Sequence, residues 1–195
     1  MIIKYIFDRI FSFIGLIILS PVIFVIFILH KIRMPKGRFL FKQVRIGKDA
    51  KPFKIYKIRT MADDSEVDCT VTTVDDPRIT SFGHWLRESK VDTFLELINI
   101  LIGEMSFVGP RPDVPGYADK LEGDDRIILK MRPGLTGPAS IKYRHEDKLL
   151  AQQDDPKRYN DEVIWPDKVK INKEYYENWS IWRDIAVLWK TVFGR

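Results

Sequence analysis

The chain has 195 residues, 45% hydrophobic and 30% charged, with a formal net charge of +5. That composition excludes a disordered chain and a polytopic membrane protein, and the length suffices for one compact domain plus an attachment. One cysteine, Cys69, excludes an intrachain disulfide and suits a reducing compartment, and three scattered histidines (His30, His84, His145) beside a lone thiol do not make a zinc site.

The excess charge is localised. Residues 1–38 hold six basic residues (Lys4, Arg9, Lys31, Arg33, Lys36, Arg38) against one acid, Asp8, and the remainder holds 26 of each sign. The surplus therefore sits beside an apolar run, where anionic lipid head groups attract it. A nucleic-acid partner, which wants basic residues spread over the folded body, is not expected.

That apolar run, Ile10 to Leu29, reads "IFSFIGLIILSPVIFVIFIL" and contains no charge. As a helix it would measure about 30 Å, enough to cross the hydrocarbon. It is too long for the core of a cleaved signal peptide, and no small-residue cleavage site follows. Two arrangements stay open. One is a single straight span. The other is a re-entrant helix that enters from the cytoplasm, breaks at Ser20-Pro21 and returns to the same face. Proline removes a backbone hydrogen bond and kinks a helix, and Ser20 can supply a partner for a freed polar group. Basic residues flank both ends, so the positive-inside rule gives no direction of crossing. The expected organisation is a membrane helix over 1–37 and a folded cytoplasmic or interfacial domain over 38–195.

"FLFKQVRIG" and "FKIYKIRTM" alternate apolar and basic residues around Gly47-Lys48-Asp49 and predict a β-hairpin. "ADDSEVDCTVTTVDDPRI" is polar and predicts a loop. A helical segment is expected from about Phe82 to Ile102. "GEMSFVGPRPDVPG" and "KMRPGLTGPASI" are rich in glycine and proline and predict irregular backbone. The C-terminal part carries Trp165, Trp179, Trp182 and Trp189 with Tyr175, Tyr176 and Phe193; aromatics with basic neighbours suit helices in the head-group layer, and ordinary core packing is the alternative. The expected fold class is mixed α/β, mostly helical. No repeat is present, and no motif specifies an oligomeric state.

Within "RESKVDTFLELINIL", Ser89 reads as a helix N-cap and Asp92 as the acid of a capping-box variant. A carboxylate in that first turn faces the positive end of the helix dipole, and the free N–H groups there can bind phosphate. Asp92 and Glu96 would then share one helical face. Lys57, Arg59, Arg87, Arg111 and Arg132 can converge on a polyanion, and Arg111, between two prolines, has a restricted backbone. Each alone also reads as a solvated charge. The acid pairs Asp63-Asp64, Asp75-Asp76, Asp124-Asp125 and Asp154-Asp155 read as turn residues. No Walker loop, dinucleotide glycine pattern or nucleophile elbow is present.

Nearly the whole chain resembles the bacterial sugar transferases, the monotopic phosphoglycosyl transferases, in their small form without extra N-terminal membrane helices. The resemblance runs through "FDRIFSFIGLIILSPV", "FLFKQVRIGKDAKPFKIYKIRTM", "DPRITSFGHWLR", "LINILIGEMSFVGPRP", "MRPGLTGPASI" and "YYENWSIWRDIAVLWKTV". It implies a re-entrant helix broken at Ser20-Pro21 and a location on the cytoplasmic face of a bacterial inner membrane. It implies transfer of a sugar phosphate from a nucleoside diphosphate sugar, usually UDP-linked, to polyprenol phosphate. It further implies Mg²⁺ and a covalent phosphosugar intermediate on Asp92, with Arg87 and Arg111 at phosphate-handling positions and Lys57 and Arg59 in a "K-x-R-[ST]-M" block. Asp155 falls in the family's C-terminal acidic stretch.

One departure stands out. The family reads Asp-Glu-Leu-Pro where this chain has Asp92, Thr93, Phe94 and Leu95. The glutamate that helps bind metal is a threonine hydroxyl, a much weaker Mg²⁺ ligand. Three readings follow: an active enzyme with Glu96 as substitute carboxylate, a variant that binds substrate without turnover, or a membrane scaffold. The family usually carries a neutral glutamine at the position of Glu96.

Overall fold

The computed structural model describes residues 1–62 and 76–194. The polar segment holding Cys69, Asp63-Asp64 and Asp75 lies outside them. The chain divides into two units, Met1–Val44 with Lys54–Gly103, and Arg45–Phe53 with Glu104–Arg195.

The first unit begins with α1 (Ile2–Arg33), 32 residues of helix that run through Pro21 without interruption. The expected break at Ser20-Pro21 is therefore not a break in helical backbone. The reason is local. Pro21 has no N–H to give the Ile17 carbonyl, and the Ser20 hydroxyl donates to that carbonyl instead, at 2.7 Å. Most of the α1 surface is exposed and apolar, from Ile2 and Phe11 to Ile18 and Phe24. One stripe is not: Lys4, Asp8, Ser12, Ile26 and His30 are buried, at helical spacing. One of the six basic residues expected beside lipid head groups, Lys4, thus lies inside the protein, as does the acid Asp8. Arg9, Lys31, Arg33, Lys36 and Arg38 are the exposed ones.

The strands β1 (Leu40–Ile46) and β2 (Pro52–Ile58) pair as the alternation predicts. A helix α2 (Ser81–Glu88) follows, capped by the Thr80 hydroxyl, which accepts from Gly83 N–H at 2.9 Å. The expected continuous helix over 82–102 is corrected here. It stops at Glu88, and α3 (Glu96–Ile102) starts afresh. Ser89 closes α2 rather than opening the next helix: its hydroxyl donates back to the Trp85 carbonyl at 2.7 Å. Lys90 then takes a left-handed conformation, φ 57°, which turns the chain out of the helix. Ile26 of α1 packs with Ile58, Leu86 and Leu95 in the core.

In the second unit, β3 (Ser106–Val108) and β4 (Gly134–Thr136) pair in parallel, Ser106 with Gly134 and Val108 with Thr136. The glycine- and proline-rich stretches are thus not irregular throughout. Their glycines are required by proximity: a Cβ on Gly134 would lie 2.2 Å from the Gly109 nitrogen, and one on Gly137 would lie 2.2 Å from the Gly109 oxygen. The helices α4 (Pro138–Lys142), α5 (Glu146–Ala151), α6 (Pro156–Tyr159), α7 (Trp165–Glu177) and α8 (Ile181–Phe193) complete the unit. Asp155 caps α6, its carboxylate accepting from the Arg158 N–H at 3.0 Å. A core of Ile46, Ala118, Ile128, Leu129 and Val169 takes Trp165 against its edge. At the α7–α8 corner, Asp184 accepts from the Tyr175 hydroxyl and from Trp179 Nε1. Trp182 and Trp189 are instead 76% and 64% exposed on α8. The C-terminal aromatics therefore divide between core and surface.

Gly83 is tightly packed, since an added Cβ would lie 1.9 Å from the Thr60 carbonyl oxygen. Gly83→Ala should lower the stability of the detergent-solubilised protein by about 1–3 kcal/mol in thermal unfolding. Gly15→Ala, whose Cβ meets Leu97 at an ordinary 3.5 Å, should change it by less than about 0.5 kcal/mol.

Candidate active site

Between α2 and α3 a single 3₁₀ turn, Val91–Thr93, carries Asp92. The strained Lys90 immediately precedes it, and such backbone persists only where its surroundings over-determine it. Asp92 is half-buried, and its Oδ1 is shielded from solvent without a hydrogen-bond partner. Loss of water raises its pKa above the ordinary aspartate value, while Lys57, Lys90 and Arg87 pull it the other way. Arg87 is fixed by its Nε, which donates to the Thr60 hydroxyl at 2.9 Å. Burial pulls the guanidinium's pKa down, and the carboxylates of Asp92 and Asp76 oppose that. Asp76 is itself held well below the usual carboxylate range, at about 2, by hydrogen bonds from Arg78.

Asp92 and Glu96 belong to different elements, so the expected pairing on one helical face is not what the structure has. Glu96 opens α3, is 4% exposed, and meets the Lys57 ammonium of β2 at 3.3 Å. One turn on, the fully buried Asn99 accepts from Tyr56 N–H at 3.0 Å and donates to the Lys54 carbonyl at 2.8 Å. Thr93 donates its hydroxyl to the Lys90 carbonyl at 2.8 Å.

The first unit thus brings Asp92, Thr93, Glu96, Lys57 and Arg87 to the region where α2, α3 and β2 meet. Arg59 is placed elsewhere in the same unit. It is buried, and its guanidinium donates to the carbonyls of Met34 and Lys36, tying down the chain that leaves α1. Ser20 and Pro21 lie exposed on α1. Arg111 lies in the second unit, exposed between buried Pro110 and Pro112. Its loop is held by Gly134 N–H on the Pro110 carbonyl at 2.7 Å and by Arg45 on the Pro112 carbonyl at 3.1 Å. Sequence reasoning missed the neighbouring Asp113, pushed up to about 6 by burial against the pull of Lys168, Arg111 and Arg45. An acid directly following the rigid "GPRP" was the available signal. It also missed Asn99, a lone amide in the apolar run "LINIL".

Magnesium takes oxygen ligands and is commonly held by one or two carboxylates plus substrate phosphates. Asp92 Oδ1, buried and without a donor, is an oxygen of that kind. Among the described residues no cluster of three His, Cys, Asp or Glu offers a fuller cage.

The bacterial sugar transferase family model matches residues 1–194. The chain is 34% identical over 192 residues to the UDP-glucose:undecaprenyl-phosphate glucose-1-phosphate transferase of Escherichia coli, covering 95% of this chain and 38% of that protein. It is 30% identical over 205 residues to the undecaprenyl-phosphate galactose phosphotransferase of Salmonella typhimurium, covering 97% and 39%. A putative undecaprenyl-phosphate N-acetylgalactosaminyl 1-phosphate transferase of Bacillus subtilis is 39% identical over 152 residues, covering 75% and 80%. The chain therefore spans well under half the length of the first two relatives.

Asp92 has a raised pKa in the folded protein, so the stability it contributes is present in acid and is lost as pH rises through that value. Asp92→Asn should therefore unfold at a higher temperature than the parent at about pH 7, the gap closing as pH falls towards about 4. Thermal unfolding of both proteins across that range checks the sign.

Proposed function

The chain belongs to the bacterial sugar transferase family, and on that premise we propose that it transfers a sugar 1-phosphate from a UDP-sugar to polyprenol phosphate on the cytoplasmic face of a bacterial inner membrane. The observation that carries this is the state of Asp92: a desolvated carboxylate with an unpartnered oxygen, under the field of Lys57, Lys90 and Arg87. Desolvation makes a weak nucleophile more basic, and the surrounding cations favour its ionised form.

An Asp92 oxygen attacks the sugar-linked phosphorus, and the bond from that phosphorus to the bridging oxygen breaks. UMP leaves with the electron pair, and the sugar phosphate stays on Asp92 as an acyl phosphate. A polyprenol phosphate oxygen then attacks the same phosphorus, freeing the carboxylate and forming the polyprenyl diphosphate sugar. Arg87, set by Thr60, and Lys57, set beside Glu96, face the charge that accumulates on the phosphoryl oxygens. Asp92 would hold Mg²⁺ together with the donor phosphates, and the ion, when bound, supplies neutralisation of the diphosphate.

A second reading is favoured by Thr93. Its hydroxyl stands where the family has a glutamate and is directed to the Lys90 carbonyl. On this reading the chain binds donor without turnover.

The membrane seat is part of the proposal. In a straight span, lipid surrounds the middle of the helix. In the first unit the middle of α1 meets protein: Gly15 lies against Leu97, and Ile26 lies in the core with Leu86 and Leu95. This supports a re-entrant α1 bent at Pro21, with its exposed apolar sides in lipid. The exposed Trp182, Ile185, Trp189 and Val192 of α8 suit the head-group layer.

UMP release from a UDP-sugar panel, with polyprenol phosphate and Mg²⁺, tests the reaction. Release from at least one donor is expected, with a loss of about a thousandfold or more in Asp92→Asn. Thr93→Glu should raise turnover. No release from any donor, with turnover appearing only in Thr93→Glu, would establish the second reading. For topology, Ile2→Cys and Leu40→Cys in a Cys69→Ser background should both label from the cytoplasmic side; labelling of residue 2 from the periplasm alone would mean a span.

A further inference from the structure

The geometry points to Glu96 as a positioning residue for Lys57, not as a substitute metal ligand: the glutamate at the start of α3 holds the β2 lysine where the donor diphosphate binds. This rests on the transferase reading above and deepens it.

Two independent contacts fix the arrangement. The first is the ion pair itself. The Glu96 side chain is 5% exposed and the Lys57 side chain 23%, with 3.3 Å between their charged atoms. A carboxylate so buried needs a compensating cation, and the lysine side chain stays partly open to solvent, where another anion can approach. The second contact sets the register. Asn99, three residues after Glu96 and so on the same side of α3, grips the backbone of β2 at Lys54 and Tyr56 with both ends of its amide. Lys57 follows Tyr56 directly. The strand cannot slide along the helix without breaking two buried hydrogen bonds, so the lysine is presented to Glu96 at a fixed height.

Lys57 also acts on the Asp92 carboxylate, and it heads the charges that do so. Asp92 and Glu96 therefore share the lysine between them, in adjacent elements. A strand lysine oriented by a helix glutamate is a known device for presenting an ammonium to phosphate oxygens, as in protein kinases. A lysine without such a partner is a flexible point charge with several rotamers to lose on binding. The acid absent from position 93 is thus not restored to the metal by Glu96, whose carboxylate is paired with Lys57.

The test is UDP binding to the full chain in detergent by titration calorimetry, once with Mg²⁺ and once with EDTA. UDP carries the diphosphate whatever the sugar. Glu96→Gln should weaken UDP by about tenfold in both conditions. Glu96→Asp should retain most of the affinity. Lys57→Met should lose at least as much as Glu96→Gln, and Lys57→Met/Glu96→Gln should bind UDP within about twofold of Lys57→Met. Lys57→Met alone takes the paired cation from a buried carboxylate and can unfold. The double variant carries no such charge, and its agreement with Glu96→Gln within about threefold then takes the place of the cycle. A Glu96→Gln loss seen only with Mg²⁺ would overturn the inference in favour of a metal ligand. Unchanged or tighter UDP binding in Glu96→Gln, or losses that multiply in the double variant, would overturn it as well. Failure of the transferase reading looks different: the parent chain would release UMP from no donor and bind no UDP.

Discussion

Helix α1 buries one stripe of side chains that extends over nearly its whole length, from Lys4 through Ser12 and Ile26 to His30. Its contacts with α3 and with the residue before it bear on the position of the turn that carries Asp92. Leu95, just before α3, packs towards Ile26, and Leu97 faces Gly15. The side of α3 carrying Glu96 and Asn99 is bound to β2. At the far end of α1, His30 Nε2 lies 3.2 Å from the Arg59 carbonyl, and the Arg59 side chain ties the following segment. Burying one aliphatic side chain such as Ile26 contributes about 1.5–3 kcal/mol. With Ile23 partly buried beside it, Ile26 makes the apolar helix one wall of the core next to the site.

That wall permits an arrangement that is unfavourable in isolation. Lys90 in the left-handed region costs on the order of 1–2 kcal/mol, and the desolvated Asp92 opposes folding at neutral pH. Neither stabilises the protein, and both sit within three residues of each other. Local strain and a poorly solvated carboxylate next to fixed cations fit a group poised to attack an anion. Thr60 links the two sides: its carbonyl crowds Gly83 at the start of α2, and its hydroxyl fixes Arg87 at the end of α2.

Much of this frame is legible in the sequence. The uncharged run marks α1, the alternation marks the hairpin, and Ser20 beside Pro21 marks the point where the lost N–H is compensated. Other features are not, for physical reasons. The apolar pattern continues from α2 into α3, so periodicity has no sign of the turn at Ser89–Leu95, and Ser89 satisfies the rules for a helix start as well as for a helix stop. Lys4 reads as a head-group charge because charge alone does not reveal which side of a helix is covered by protein. Arg59 reads only as one more charge for a polyanion because a sequence cannot show that its guanidinium also donates to the carbonyls of Met34 and Lys36. The strands β3 and β4 have three residues each, too short for any alternation to register. The glycines that interlock them were visible only as loop residues.

The identity of the site rests on Asp92. The proposed transfer makes it the nucleophile, and the structure places at that position a carboxylate with one unpartnered oxygen under the field of Lys57, Lys90 and Arg87. The most direct measurement is mass spectrometry of the acid-quenched full chain after incubation with donor and Mg²⁺ in the absence of polyprenol phosphate. The account predicts a mass gain of one sugar phosphate on the proteolytic peptide bearing Asp92, lost when polyprenol phosphate is added. Modification of a different residue, or turnover with no adduct on that peptide, would contradict it.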